Sequence, residues 1–510
     1  MKIKQVLNKY ERIINIVIFP LEFMISLLLA YSSIRFIMLR NYEQIISIKH
    51  MIMILLFGVV TLIIIIYNCI KNKDKFEKII IGFLIPIGML YLIYMIPSHV
   101  PDETSHLWRS YEISEGKLIS DKIEATEVPE DLKFKIRGNV DKYSNLYENL
   151  GTKTDYSKMV KVNNTAKTYP FILYIFPAIG FWIARVFSLN IIVGCYLAKM
   201  MNFIIFLIVT YYTIKIIPFG KCAMTSVLFM PMFLHQATST SADCIVNLST
   251  MFFTAFSMYL IFKKTAINKK EIAGFIILSA IIALVKYVYL PLVGLGCILT
   301  FSKNINKKEK IFLILTSIFI ALIIAIGYFK STNGYVNSFE EYMKQNNVNF
   351  GEQLIFIKNN PKDFCKILIK TLHDKGDEYI YIGIGRYLGW ICIEVPQITI
   401  TTYLFVMLFS CFLEDNKIAL SNKQKLYCLL IIFGTILLVI TGMYLTWTTV
   451  GANIVEGVQG RYFIPVVFLL LLCMCKKQNY IRIKNIQYKL PIILCLLNLS
   501  AVYSIYKFFR

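Results

Sequence analysis

The residues best suited to chemistry in this chain follow directly on an apolar run over residues 79–96. Asp102 and Glu103 stand side by side there, and His106 follows one helical turn later. A carboxylate is costly at the centre of a bilayer but much less so at its surface, so acidic chemistry at this boundary can face a lipid-borne substrate. A carboxylate there can take a proton from a hydroxyl group. We therefore take Asp102, Glu103 and His106 as the candidate catalytic residues.

The same stretch has the pattern of a helix start. Asp102 is a residue type that caps the free amides of a helix. From Asp102, His106 and Arg109 recur at i+4 and i+7 and share one helical face, which makes Arg109 a candidate for substrate binding. An ordinary capped helix would explain these residues without any chemistry. The apolar face, which we expect to rest on the membrane surface, carries Leu107, Trp108 and Tyr111.

Composition places the chain among polytopic membrane proteins. Hydrophobic residues make up 57% of its 510 residues and are crowded into long runs of Ile, Leu and Phe. A soluble protein does not need an apolar content this high to build its core. The sequence therefore predicts an all-α fold of membrane-spanning helices.

The net charge of +23 is informative because of where it lies. Lys and Arg concentrate in short connections, whereas the long polar segments 97–168 and 330–396 carry nearly balanced charges. By the positive-inside rule the short connections are cytoplasmic and the long polar segments lie outside. This distribution argues against a nucleic-acid partner. The basic connections are the first 12 residues and the stretches 71–78, 263–270, 303–310 and 476–489.

The apolar runs predict about 13 spans, with the N-terminus in the cytoplasm. The run 169–189 is treated differently, because a crossing there would move the later basic connections to the outside. We predict that it forms an interfacial helix on the outer face. The predicted spans are 13–38, 49–70, 78–96, 190–215, 221–236, 243–262, 271–286, 287–301, 311–329, 397–413, 425–447, 461–475 and 489–506.

This topology divides the chain into three parts. An N-terminal pair of spans occupies 1–77. The main transmembrane module covers 78–475, with outer loops at 97–189 and 330–396. The last part, 476–510, contains a basic cytoplasmic loop and the last span.

Three further polar motifs fall on the same side of the membrane as Asp102. Each has a structural explanation: Asp243 as a helix cap, Lys286 as a chain extending toward the interface, and Arg461 as a span-flanking charge. Their coincidence on one face is stronger evidence, and it suggests a site for a ligand with an anionic head and a lipid tail. The motifs contain Ser241 and Asp243, then Lys286 and Tyr289, then Gln459, Arg461 and Tyr462.

The order of these motifs resembles domain-of-unknown-function family 2142, a family of bacterial membrane proteins. The resemblance runs from about residue 78 to about residue 475. That family in turn is similar to the GT-C fold glycosyltransferases, which use polyprenyl-phosphate sugars. The motifs are Pro101-Asp102-Glu103 with His106, Tyr169-Pro170-Phe171, Ser241-Ala242-Asp243, Lys286 to Pro291, Gly389-Trp390, and Gln459 to Pro465.

The resemblance implies a GT-C-like bundle in the bacterial plasma membrane that transfers a sugar to a glycan or lipid-linked acceptor on the outer face. In GT-C enzymes the first outer loop begins with an acidic catalytic base or metal ligand, and Asp102 matches that position. The departing phosphate needs cationic or donor groups, for which Lys286, Arg461 and Tyr289 are candidates. The candidate substrate-binding residues are Arg109, Ser241, Asp243, Gln459 and Tyr462.

Several points stay open at the level of sequence. Two carboxylates are too few ligands to assert a metal site, although a divalent cation at Asp102 and Glu103 is compatible with the pattern. A polyprenyl-phosphate-sugar synthase or a flippase from the same pathway is the expected protein partner. The competing function is a flippase or transporter of lipid-linked saccharides. Transporters tend to carry charges at mid-span and to show inverted repeats, so polar groups at span ends favour the transferase.

Overall fold

The computed structural model describes residues 17–36, 48–121, 124–133, 143, 150, 153–299, 306–332, 340–414, 416–477 and 483–510. The basic N-terminal residues and parts of the basic stretches 303–310 and 476–489 lie outside these ranges. The described helices are α1 (Val17–Phe36), α2 (Ile48–Lys71), α3 (Phe76–Tyr94), α4 (Glu103–Ser114), α5 (Ile175–Val186), α6 (Ile191–Ile216), α7 (Lys221–Leu228), α8 (Pro231–Ala237), α9 (Asp243–Phe262), α10 (Lys269–Val285), α11 (Leu295–Ile298), α12 (Lys307–Thr332), α13 (Glu340–Gln345), α14 (Phe350–Asn359), α15 (Pro361–Ile384), α16 (Gln397–Ser410), α17 (Asn422–Thr446), α18 (Ile464–Met474) and α19 (Ile486–Phe509).

Eight helices in the described ranges are long and apolar enough to cross a membrane. They are α1, α2, α3, α6, α9, α12, α17 and α19. The protein is therefore an all-α polytopic membrane protein, as its composition predicts. The other five predicted spans coincide with shorter helices. One of them is divided into α7 and α8, because Pro231 has no N–H with which to continue a helix.

The run predicted to be interfacial forms α5, a helix of 12 residues. A span needs about 20 residues, so α5 is too short to cross. It lies directly on the following helix α6. At the crossing, a Cβ atom on Gly180 would come within 2.3 Å of the Ala198 backbone nitrogen, so only glycine allows this close approach.

Helix α4 is enclosed by protein and does not rest on the membrane surface. Its residues from Glu103 to Ile113 are all buried. A two-stranded antiparallel sheet, β1 (Thr126–Pro129) and β2 (Met159–Val162), covers it, with Val128 paired to Val160. Trp108 packs in the apolar cluster beneath this sheet and donates its indole N–H to the Leu132 carbonyl at 2.9 Å. The expected membrane-facing role of Leu107, Trp108 and Tyr111 is thereby corrected.

The second long polar segment contains α13, α14, α15 and a short antiparallel sheet, β3 (Tyr387–Leu388) with β4 (Ile393–Glu394). Helix α15 lies against the 3-10 turn Gly460–Phe463 that precedes α18. A Cβ atom on Gly460 would fall 2.1 Å from the Tyr379 carbonyl oxygen. The backbone of α15 therefore fixes the position of the residue that follows, Arg461.

Candidate functional site

Arg461 lies at the centre of a polar cluster that it forms with Asp102, Asp243 and Gln459. Its side chain is only 4% exposed. Its Nη2 atom donates to Asp102 Oδ2 at 3.1 Å, and its Nη1 atom lies 3.2 Å from Asp243 Oδ2. Its Nε atom donates to Gln459 Oε1 at 2.7 Å. One guanidinium group thus joins three parts of the chain that are far apart in sequence. The structure brings together four of the residues predicted from the motifs.

Asp102 is the residue directly before α4, but its side chain does not cap the helix. Its backbone is left-handed, with φ of +62°, and its side chain makes no capping hydrogen bond. The carboxylate turns instead toward Arg461. Its side chain is 49% exposed, and Oδ1 accepts no hydrogen bond from the described part of the chain. Asp102 is therefore held through one oxygen while the other remains accessible.

The loop that carries Asp102 is anchored by the Gly389-Trp390 motif. The backbone N–H of Gly389 donates to His235 Nε2 at 3.1 Å, and the Trp390 indole N–H donates to the Ser98 carbonyl at 3.2 Å. Ser98 has a left-handed backbone, with φ of +75°. The loop is thus held from the far end of the second polar segment.

Asp243 is held by its own set of polar side chains. The Ser241 hydroxyl accepts from the Asp243 backbone N–H at 3.2 Å and so supports the first residue of α9. Gln236 donates to Asp243 Oδ2 at 3.2 Å, and Asn247 donates to Gln236 Oε1 at 2.8 Å. Gln236 and Asn247 are not among the residues predicted from sequence. In the sequence, Gln236 lies in the polar stretch that ends at Asp243, and Asn247 is a polar residue inside an apolar run.

Lys286 lies beside this cluster without joining an ion pair. Its Nζ atom is 4.7 Å from the centre of the Tyr462 ring, and the Arg461 guanidinium is 5.3 Å from the same centre. Within the described ranges no carboxylate lies within ion-pair distance of Lys286. Burial lowers the pKa of its ammonium group, an effect that the nearby Asp243 opposes. Lys286 is therefore a half-buried basic side chain that is available to an anionic ligand.

A cavity of about 420 Å³ opens beside Lys286. Tyrosine side chains and Lys286 supply its polar atoms, and residues of α17 and of the 3-10 helix Tyr287–Gly294 supply its apolar wall. The hydroxyl of Tyr289 donates to the Tyr462 carbonyl at 3.0 Å, so it holds the wall in place. The lining residues are Thr168, Tyr169, Val285, Lys286, Tyr287, Val288, Tyr289, Tyr328, Val439, Gly442, Met443, Thr446 and Tyr462.

His106 is buried between two tyrosines that the sequence does not single out as site residues. Its Nδ1 atom lies 2.7 Å from the Tyr174 hydroxyl, and its ring meets the Tyr169 ring edge-on at 5.8 Å. Burial lowers the pKa of His106 to about 4. The imidazole is therefore neutral at pH 7. The signal for Tyr169 is its place in the Tyr-Pro-Phe motif, whereas Tyr174 has no distinguishing pattern.

Two predicted site residues lie outside the cluster. Glu103 is fully buried and accepts backbone hydrogen bonds from Val100 at 3.3 Å and Thr240 at 3.1 Å. Arg109 is also buried and donates to Glu112 at 2.7 Å and to the Leu118 carbonyl at 2.6 Å. Both side chains hold loops together, so the roles expected for them in catalysis and substrate binding are corrected. Helical spacing gives their direction around α4 but not the segments that pack there.

Comparison with known proteins decides the family. The family model described as "Predicted membrane protein (DUF2142)" matches residues 83–470. The chain belongs to the DUF2142 family. No curated protein and no solved structure matches it. All the site residues described above lie within the matched region, whereas α1 and α2 precede it.

The carboxylates of this DUF2142 protein do not form the pair that a shared ion would need. Asp102 points to Arg461, while both oxygens of Glu103 accept backbone hydrogen bonds. In the ranges that the structure describes, no three His, Cys, Asp or Glu side chains come together as a set of metal ligands. The positive charge between Asp102 and Asp243 is supplied by Arg461.

Proposed function

We propose that this DUF2142 protein is a membrane glycosyltransferase. In this proposal it moves a sugar from a polyprenyl-phosphate donor to a hydroxyl group of a glycan or lipid-linked acceptor. The reaction takes place on the outer face of the bacterial plasma membrane, with the N-terminus in the cytoplasm. The observation that supports it best is that Lys286, a half-buried basic side chain without a carboxylate partner in the described ranges, lies beside the cluster that holds the half-exposed carboxylate of Asp102.

The cavity beside Lys286 is the proposed donor site. Its volume of about 420 Å³ lies in the range of small-molecule sites. In this proposal the phosphate binds near the Lys286 ammonium, and the sugar occupies the part of the cavity that is lined by tyrosine side chains. Val439 and Met443 belong to α17, a helix that is long and apolar enough to span the membrane, so the lipid tail leaves the cavity along this helix.

Asp102 acts as the general base in this mechanism. Its free oxygen takes the proton of the acceptor hydroxyl, whose oxygen then attacks the anomeric carbon of the sugar. The bond between that carbon and the phosphate oxygen breaks, and the electron pair leaves with polyprenyl phosphate. Lys286 balances the charge of the leaving phosphate. A single displacement of this kind inverts the anomeric configuration.

Arg461 has a different role from the one expected from sequence. Asp102, Asp243 and Gln459 already occupy the three nitrogen atoms of its guanidinium group. It is therefore a positioning residue that holds the base, and Lys286 is the main phosphate-binding cation. The hydroxyl of Tyr289 is likewise bonded to the Tyr462 carbonyl, so Tyr289 contributes a wall of the donor site.

Transport of a lipid-linked saccharide is the second candidate function. Lys199 favours it, because this basic side chain is fully buried inside the span α6. Ionisable residues within spans often belong to substrate or ion pathways. A transporter, however, forms no new glycosidic bond.

Purified protein in detergent separates the two functions. We expect it to release polyprenyl phosphate from a polyprenyl-phosphate sugar when a hydroxyl acceptor is supplied, and heat-denatured protein should release none. Turnover with a nucleotide sugar alone would contradict the proposed donor. The transporter would be favoured if the protein moved a lipid-linked saccharide across the membrane of vesicles and formed no glycoside in either vesicles or detergent.

A further inference from the structure

Glu22 is an acidic residue inside the membrane-spanning helix α1, far from the site around Arg461 in sequence. Its side chain is fully buried. Both carboxyl oxygens are buried, and neither has a hydrogen-bond partner in the described part of the chain. No basic side chain of the described residues pairs with it. An unpaired carboxylate in this environment is very unfavourable, so its charge must be neutralised by something else.

Other oxygen atoms without partners lie on the same helices. Ser26 is one turn further along α1, so its side chain neighbours Glu22 on the same face. The Ser26 hydroxyl is buried and makes no hydrogen bond with the residues that the structure describes, and the same holds for the Thr61 hydroxyl on α2. Including both oxygens of Glu22, four buried oxygen atoms in the described parts of α1 and α2 lack a partner.

Gly82 on α3 makes room beside the carboxyl group. A Cβ atom at this position would lie 3.6 Å from Glu22 Oε1 and 2.6 Å from Asn68 Nδ2. Glu22 and Asn68 therefore border the same small space, which any larger residue would fill. The three N-terminal helices meet there.

Asparagine side chains connect this space to the end of α2. Asn68 donates to the Lys78 carbonyl at 3.0 Å, and Asn72 donates to Asn68 Oδ1 at 2.6 Å. Asn72 follows the last residue of α2 and precedes the turn into α3. Polar side chains therefore extend from the space beside Glu22 to the turn between α2 and α3.

We propose that Glu22 binds an exchangeable cation, either a proton or a monovalent metal ion, between α1, α2 and α3. Oxygen atoms are the ligands that hard cations prefer, and the unpartnered atoms described on α1 and α2 are all oxygens. The bound cation neutralises the carboxylate. The site lies before the residues that the DUF2142 model matches, so it does not depend on the proposed transferase activity.

Carbodiimide modification of the intact protein tests this proposal. A hydrophobic carbodiimide reacts with a protonated carboxyl group in apolar surroundings, and mass spectrometry locates the adduct. The reaction is followed between about pH 6 and pH 10 in choline chloride, and then with sodium, lithium or potassium chloride. Glu77, a half-buried carboxylate in the first turn of α3, is the matched control and should react with a water-soluble carbodiimide instead.

Each result supports or overturns the proposal. Labelling of Glu22 that falls about tenfold per pH unit at the alkaline end supports an exchangeable proton. Labelling that one metal ion suppresses, with weaker suppression in Ser26→Ala, supports a metal ion. No labelling of Glu22 under any condition, or labelling that is insensitive to both pH and metal ions, overturns it.

Discussion

Replacing Lys286 with methionine separates ligand binding from stability. The substitution nearly keeps the length of the side chain and removes its charge. No carboxylate within the described ranges forms an ion pair with Lys286, so the change leaves no buried acid unpaired. The substitution does remove the interaction of the ammonium with the Tyr462 ring, which is worth about 0.5–2 kcal/mol, and it also removes the cost of partly desolvating that ammonium, which offsets the loss. We expect the melting temperature to change by only a few degrees.

The effect on donor binding should be much larger. A hydrogen bond to a charged group contributes about 1.5–3 kcal/mol, which corresponds to roughly 10- to 150-fold in affinity. Because Lys286 has no competing ion pair in the described ranges, we expect a loss within this range for polyprenyl phosphate. Binding to the purified protein is measured by intrinsic fluorescence, with melting temperatures recorded in parallel. Lys358→Met, on α14 and away from the cavity, is the control.

Two results would refute the reasoning. The first is an unchanged affinity of Lys286→Met for polyprenyl phosphate. The second is a loss of binding of the same size in Lys358→Met. Arg461→Met gives a useful contrast, because it leaves Asp102 and Asp243 without their cation. Breaking a buried pair costs about 3–5 kcal/mol, so this variant should lose stability whether or not a ligand is present.

Three further substitutions test the positions of the surrounding residues. Glu103→Gln should destabilise the protein by about 1–3 kcal/mol, measured by thermal unfolding, and should change the activity of the folded protein only a few-fold. A loss of activity of about 100-fold would instead support a catalytic role for Glu103. Gly460→Ala should lower the free energy of unfolding by about 1–3 kcal/mol, because its Cβ atom would overlap α15. The control Gly376→Ala has open space around it and should not destabilise the protein. Equal losses of stability in the two variants would contradict this packing. The pKa of His106 is about 4 in the folded protein against an ordinary 6.5, so its neutral burial favours folding above pH 6.5 and this contribution falls as the pH drops toward 4. Thermal unfolding of wild type should therefore lose up to about 3 kcal/mol more than His106→Gln over this interval, and identical pH profiles would contradict the assignment.

The convergence of the site could be predicted from the sequence because membrane topology restricts where polar motifs can lie. The positive-inside rule places Asp102, Asp243, Lys286 and Arg461 on one side. In the structure Arg461 contacts both carboxylates, and Lys286 lies beside them. The individual contacts could not be predicted. Nothing in the sequence indicates that Arg461 pairs with two acids while Lys286 joins no ion pair in the described ranges.

The errors concern residues whose neighbours come from distant segments. Helical periodicity assigns Trp108 to a membrane surface and Arg109 to a substrate, since it defines only directions around an axis. The β1–β2 sheet and α5 cover α4, so both side chains are buried in protein. Asp102 has the residue type of a helix cap, but its left-handed backbone turns the carboxylate toward Arg461. Glu22, by contrast, has a visible signal as an acidic residue within a predicted span.

The most direct test of the proposed mechanism is the rate of sugar transfer by Asp102→Asn. Asparagine keeps an oxygen that can accept from Arg461, so folding and donor binding should be nearly unchanged. It cannot take a proton from the acceptor, so transfer should fall by about 10²–10⁴-fold. The measurement compares glycoside formation by equal amounts of folded wild-type and variant protein. A variant that binds the donor normally and transfers sugar at the wild-type rate would contradict the assignment of Asp102 as the base.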